Sequence, residues 1–373
     1  EHSDRLLVTR CAPEAALELL RDWSKQAQSP LDKAIFVVAP IYNADGNEKL
    51  GPQSRNRPGQ NGPEMVGVRP NGQNLDLNRD CMKARAPETR AALQTVYGLW
   101  DPDVVIDMQT TDGTRHGYRL TYSPPLNPNT DPGIAAFARD ELLPAVRKEA
   151  RSRWGLELFD YGNAGRGPAG LQWSTFAPEG RYVTNYVGLR NRISILSEAM
   201  VYEPFQTRIA DTRNFVQAVV ENVIRRSKRV IELTRAADAR FASNPPKELG
   251  VRFDIASRGS EMVRMERAAV AGQPRPTGPV RNIEMVSMPV NDRFKAIRSS
   301  AFPTAYLFPS SEQAVADLLM LHGIRVERLT SPWSGEAQEF AISEAVKDAN
   351  EVQGVRMTRL EGRYLTVRGE YPV

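Results

Sequence analysis

Histidine, cysteine and long apolar runs are all scarce in this chain of 373 residues, and each scarcity excludes something. The three histidines, His2, His116 and His322, leave few imidazoles from which to build a metal centre. Two cysteines, Cys11 and Cys81, cannot form a disulfide framework, and two buried free thiols are expected. No run of about 18 apolar residues occurs, so no membrane-spanning helix is expected. The 49 Lys and Arg against 45 Asp and Glu leave a net charge of +4. Spread over this length, that excess does not indicate nucleic acid. Residue 1 is Glu and no signal-like apolar segment follows, which leads to the expectation of a processed, trimmed or partial chain. A processed N-terminus would favour a secreted or periplasmic location.

What is present is ordinary globular material. Apolar residues make up 41% and charged residues 25%, enough for a core and too balanced for wholesale disorder. The spacing of Ala16, Leu17, Leu20 and Trp23 predicts a helix over 14–23. The apolar runs 34–38, 103–107 and 193–196 predict short buried strands. Between them, residues 39–76 are rich in Gly, Pro, Asn and Gln and read as a long loop. Pro87 opens a helix to about Trp100. Asp131 and Pro132 cap and start another, reaching about Arg151. Phe215, Val219, Val223, Ile224, Ile231 and Thr234 mark one stripe of a long helix. The expected fold is therefore α/β over residues 1–243, with a mixed, largely parallel sheet flanked by helices. A smaller β-rich domain is expected over 250–373, interrupted by a helix near 311–321. Gln273 to Pro279, with three prolines and a glycine, reads as a turn. The strand-like stretch 363–369 so near Val373 suggests a truncated end.

Polar groups collect at the ends of the buried runs, where α/β sheets bind ligands. After the first run come Asn43-Ala44-Asp45-Gly46, Arg55-Asn56-Arg57 and Leu75-Asp76-Leu77-Asn78-Arg79-Asp80. Asp107-Met108-Gln109-Thr110-Thr111 ends the second run and Ser197-Glu198-Ala199 the third. Each alone reads as a solvated loop or strand-end cap. Together they suggest one cleft with a glutamate base, arginines and amides. Such a cleft suits attack of water on a carbonyl beside a free carboxylate. The basic run 225–229 falls on the polar side of its helix and reads as a solvated face, with no aromatic interleaving to favour nucleic acid.

This series of motifs resembles the zinc metallocarboxypeptidases of the carboxypeptidase A/B type, in order and approximate spacing, from about residue 14 to 235. The resemblance implies a zinc-exopeptidase-like fold and removal of C-terminal residues from peptides or acyl-amino acids. It implies Glu198 as the general base, and Asn78 and Arg79 as the grip on the terminal carboxylate. It implies Arg55 or Arg57 at the oxyanion, with the spacing leaving both open, and Tyr182 or Tyr186 at the substrate. Asp76 and Asp107 would orient metal-bound groups from behind. The family's zinc sits on a His-x-x-Glu pair and a later His. This chain has no His-x-x-Glu. Near the expected place it reads Leu6-Leu7-Val8-Thr9-Arg10, and the third ligand position is Gln109. Weak or absent zinc binding is therefore expected. A rearranged site using Asp107, Asp112 and His116 is the weaker reading, against a loop histidine in the cleft wall. His322, at a helix C-terminus, reads as a cap. The alternative function is a non-catalytic module that recognises a free C-terminal carboxylate.

Overall fold

The computed structural model describes residues 5–111, 113–168, 170–267, 278–352 and 355–372. In chain order the elements are helices α1 (Arg5–Trp23) and α2 (87–100), strands β1 (Val104–Thr110) and β2 (Leu120–Ser123), helix α3 (132–154), and strands β3 (Leu158–Asp160), β4 (Asn163–Gly167) and β5 (Gly170–Ser174). Helix α4 (Val183–Leu189), strand β6 (Ile193–Ala199) and helices α5 (Phe205–Arg225) and α6 (Ser227–Ser243) follow. The remainder is strands β7 (Glu248–Glu266) and β8 (Ile283–Ala301), helix α7 (Gln313–Leu321), and strands β9 (Trp333–Val352) and β10 (Val355–Tyr371).

The central sheet has the order β1-β6-β2-β3. Strands β1 and β6 run parallel, as do β2 and β3, while β6 and β2 are antiparallel. The sheet is thus mixed, two parallel pairs joined by one antiparallel seam. One face is apolar: Ile193 and Ile195 of β6 and Leu120 and Tyr122 of β2 pack on Phe137 and Val146 of α3, Phe215 and Val219 of α5, and Val230 of α6. Alternate residues turn to the other face. There Val105 of β1 meets Leu93 of α2, Val183, Tyr186 and Val187 of α4, and Leu318 and Leu321 of α7. Helices therefore flank the sheet on both sides, as the sequence implied.

Local signals explain most of these elements. Asp131 caps α3 by accepting from Gly133 N (2.9 Å) and Ile134 N (3.2 Å). The helix stops at Gly155, whose φ of 61° an L-residue adopts at a cost. A second sheet, β4-β5-β8-β7, carries the long β7–β8 hairpin, and β8 pairs in parallel with β5 through Val290 and Trp173. Trp173, Phe159, Val263, Met288 and Val290 form its core. The β9–β10 hairpin pairs only with itself among the described residues. The later chain is β-rich, as expected.

Two expectations are corrected. The apolar run 34–38 is not a strand: it has no ladder partner, and Ile35 is 82% exposed. Only Phe36 finds a ring partner, Trp23 at 5.2 Å. Strand β1 stands at the sheet edge, with α1 packed beside it. The expected single helix under Phe215 to Thr234 breaks at Arg226 (φ −117°, ψ 16°). There the Arg226 guanidinium turns back to Asn222 Oδ1 (2.7 Å). The expected turn over 273–279 lies largely outside the described residues, as does Asp112.

Candidate functional site

Strand register sets the centre of the site. In the parallel β1–β6 ladder Gln109 is paired with Glu198, and across the antiparallel seam Glu198 is paired with Thr121. Paired residues share a face, so Gln109, Glu198 and Thr121 form one row on the α4 side of the sheet. All three are buried. Asp107, two residues earlier, lies on the same face and accepts a hydrogen bond from Gln109 Nε2. Gln109 Oε1 is buried with no donor among the described residues.

Asn78 and Arg79 occupy a single 3₁₀ turn started by Asp76, whose Oδ1 accepts from Asn78 N (2.9 Å). Asn78 Oδ1 accepts from Val183 N (3.0 Å), the first amide of α4. This bond ties the turn to the helix that covers the site face of the sheet. Arg79 lies over the Tyr182 ring, 4.6 Å from its centroid, and its side chain is 13% exposed. Tyr182 is buried against Phe176, and Arg181 both stacks on it and donates to its hydroxyl (3.2 Å). Asp76 orients Arg69, with Arg69 Nε to Asp76 Oδ2 at 2.7 Å.

The two candidate arginines are separated by burial. Arg55 is exposed and donates to Asn56 Oδ1 (3.1 Å). Arg57 is buried. The loop after it docks at the end of β6, where Asn61 N donates to Val201 O (3.1 Å) and Asn61 Nδ2 to Tyr202 O (2.9 Å). Asn43 is buried too, but it works as a clamp: its side chain accepts from Gly46 N and donates to Arg69 O (2.8 Å). Tyr186 points elsewhere. Its hydroxyl contacts His322 Nδ1 (2.7 Å) and accepts from Arg190 (3.3 Å), which latches α4 to α7.

Neither described histidine stands by Gln109 in these contacts. His116 is buried between Tyr118 and Trp173, and its Nδ1 accepts from Tyr118 N (3.3 Å). Burial pushes its pKa down to about 3, so the ring is neutral. His322 Nε2 contacts Met82 O (3.0 Å). It is more than a helix cap, since both ring nitrogens bridge elements. Among the described residues no three His, Cys, Asp or Glu side chains gather as a metal would need. In the basic run, Arg225 pairs with Glu149 and Arg229 with Glu141 (3.1 Å).

Sequence reasoning missed one charged group close to this end of β6. Asp211 of α5 is buried and pairs with Arg119 (2.9 Å). Burial raises its pKa to about 7, against the pull of Arg119, and burial also raises that of Glu203. The two members of the pair are 92 positions apart, and no local signal joins them.

No family model matches the chain, and no solved structure matches it. The chain is similar to the protein called Probable carboxypeptidase 2 of Trichophyton verrucosum (strain HKI 0517). The two are 21% identical over 369 residues, 93% of this chain and 65% of that protein. The chain thus spans a little under two thirds of that relative's length. This is a distant, carboxypeptidase-like relationship.

Proposed function

We propose that this carboxypeptidase-like chain recognises the free C-terminal carboxylate of peptides or acyl-amino acids, and does so without zinc-dependent hydrolysis. The observation that carries this reading is the Asn78–Arg79 turn. Arg79 is held on an aromatic ring and largely withdrawn from water, and the Asn78 amide beside it is fixed in place by the bond from Val183 N. A carboxylate accepts from both, and a planar guanidinium offers it two parallel donors. Buried Arg57, on the loop docked at the end of β6, is the second cation of the site; exposed Arg55 is not part of it. Tyr182 is the tyrosine at the substrate, and Tyr186 holds the fold together. Gln109 Oε1, buried without a donor, accepts a substrate N–H.

Zinc does not fit the described residues. The third-ligand position offers only the amide oxygen of Gln109, a poor ligand for zinc beside imidazole, thiolate or carboxylate. His116 and His322 are both engaged at other places. A buried glutamate such as Glu198 has the position of a general base. At neutral pH it lacks an acidified water to deprotonate, because bulk water has a pKa of about 15.7.

The second reading is zinc-dependent hydrolysis, favoured by the similarity to a probable carboxypeptidase. Incubating the chain with a peptide of free C-terminus, with zinc and with a chelator, and weighing the products by mass spectrometry separates the two. The proposal expects no release of the terminal residue in either arm. Release that depends on zinc overturns it in favour of the second reading.

A further inference from the structure

A groove of about 560 Å³ lies between the segment 73–90 and helix α7. Its floor includes Leu75 of the segment and Leu318 of α7, and Lys83, Arg85 and Arg90 line it with no carboxylate among the lining residues. Arg90 also borders a second cavity of about 440 Å³, between α2 and the other flank of α7. Residues of α7 line both cavities. The one acid that lines the second, Asp317, accepts from Gln313 (2.8 Å). Lys83 and Arg90 are exposed, and neither has an ion-pair partner among the described residues.

From these two neighbouring cavities we infer a second binding site, for an extended peptide segment in which acidic residues alternate with apolar ones. The charge selects the partner's sign, since three cations facing one cleft attract anions and repel basic chains. The leucines on the floor select apolar side chains between the acids. Both cavities are open to solvent, which suits a chain more than a small molecule, since a small-molecule site would enclose its ligand on most sides. No aromatic side chain lines either cavity, so nucleotide bases would have nothing to stack on. The site does not depend on the carboxylate grip at Arg79.

The test uses the full chain and a fluorescent, C-terminally amidated peptide alternating Glu with Ala and Leu, read by anisotropy. Its partner is the same peptide with Gln for every Glu. Amidation keeps the Arg79 site out of the measurement. The acidic peptide should bind about tenfold or more tightly than the Gln peptide, and added salt should erode the difference. Lys83→Glu with Arg90→Glu should weaken acidic-peptide binding by about tenfold or more, with an unchanged melting temperature showing that the variant is folded. Equal binding of the two peptides by the unmutated chain overturns the inference, and that comparison needs no variant. So does unchanged binding in the folded double variant. Tighter binding of an oligothymidylate than of the acidic peptide also overturns it, in favour of nucleic acid.

Discussion

Gln109 and Glu198 are partners in the parallel β1–β6 ladder, side by side on the buried face of the sheet beneath α4. Residues 89 positions apart are thereby placed at one strand end. The amide nitrogen of the first donates to Asp107, and its oxygen is buried without a donor among the described residues.

Gln109→His restores one imidazole at the strand end. One nitrogen is too few for a stable four-coordinate site, so the variant should take up no stoichiometric zinc. Metal analysis after dialysis checks this. Stoichiometric zinc in the variant would mean that two further ligands lie within reach of position 109.

Arg79→Ala removes the guanidinium from the Tyr182 ring. A charge-assisted contact of this kind contributes roughly 1.5–3 kcal/mol. Affinity for a peptide with a free C-terminus should fall by about ten- to a hundredfold, and affinity for its amidated form should change little. Gln109→Ala should leave the carboxylate preference in place. Calorimetry on both variants reads the two effects separately.

Asp211 makes stability depend on pH. Its folded-state pKa, raised by burial to about 7, exceeds the ordinary carboxyl value of 3.8. The folded chain therefore binds more protons than the unfolded chain between about pH 4 and 7, and stability falls as pH rises through that window. A shift of this size corresponds to up to ~4 kcal/mol by linkage. Half-buried Glu203 adds a contribution of the same sign. Asp211→Asn should flatten the melting temperature across this range and raise it above the unmutated chain at pH 8. An unchanged slope would show that the Asp211 carboxyl is not protonated in the fold.

Arg258 of β7 joins the two sheets. It pairs with Asp160 of β3 (2.8 Å), Asp292 of β8 (2.5 Å) and Glu261 (2.8 Å). Only Asp292 of this cluster is buried, so removing the guanidinium leaves one buried carboxylate uncompensated, at a cost of roughly 1–3 kcal/mol. Arg258→Ala should lower the melting temperature. Arg258→Lys should recover only part of the loss, because a single ammonium cannot replace a planar fork. A melting temperature unchanged in the alanine variant would show that the hairpin is held by its apolar core alone.

The legible parts of this molecule were those with short-range signals. Strands β1 and β6 announce themselves as apolar runs because both faces are covered, and Asp131-Pro132 announces α3 through its cap. The run 34–38 carries the same signal without the structure, because periodicity reports apolar residues and not whether a neighbouring strand exists. The break at Arg226 has no Gly or Pro to mark it; it is made by a side chain reaching back one turn to Asn222. Of the site, the strand-end positions of Glu198 and Gln109 were readable from sequence. That Arg57 is buried and Arg55 exposed is not legible in the sequence. The partners Arg69–Asp76, Arg119–Asp211 and Arg258–Asp160 depend on how distant segments dock, which no local pattern encodes.

The central claim is that the unmutated chain holds a peptide by its terminal carboxylate. Calorimetry with one peptide in free-acid and C-terminally amidated forms, in the presence of a chelator, tests it most directly. The account predicts that the acid binds about ten- to a hundredfold more tightly than the amide, with no metal required. Equal affinity for the two forms would contradict it, and would mean that Asn78 and Arg79 do not form a carboxylate site.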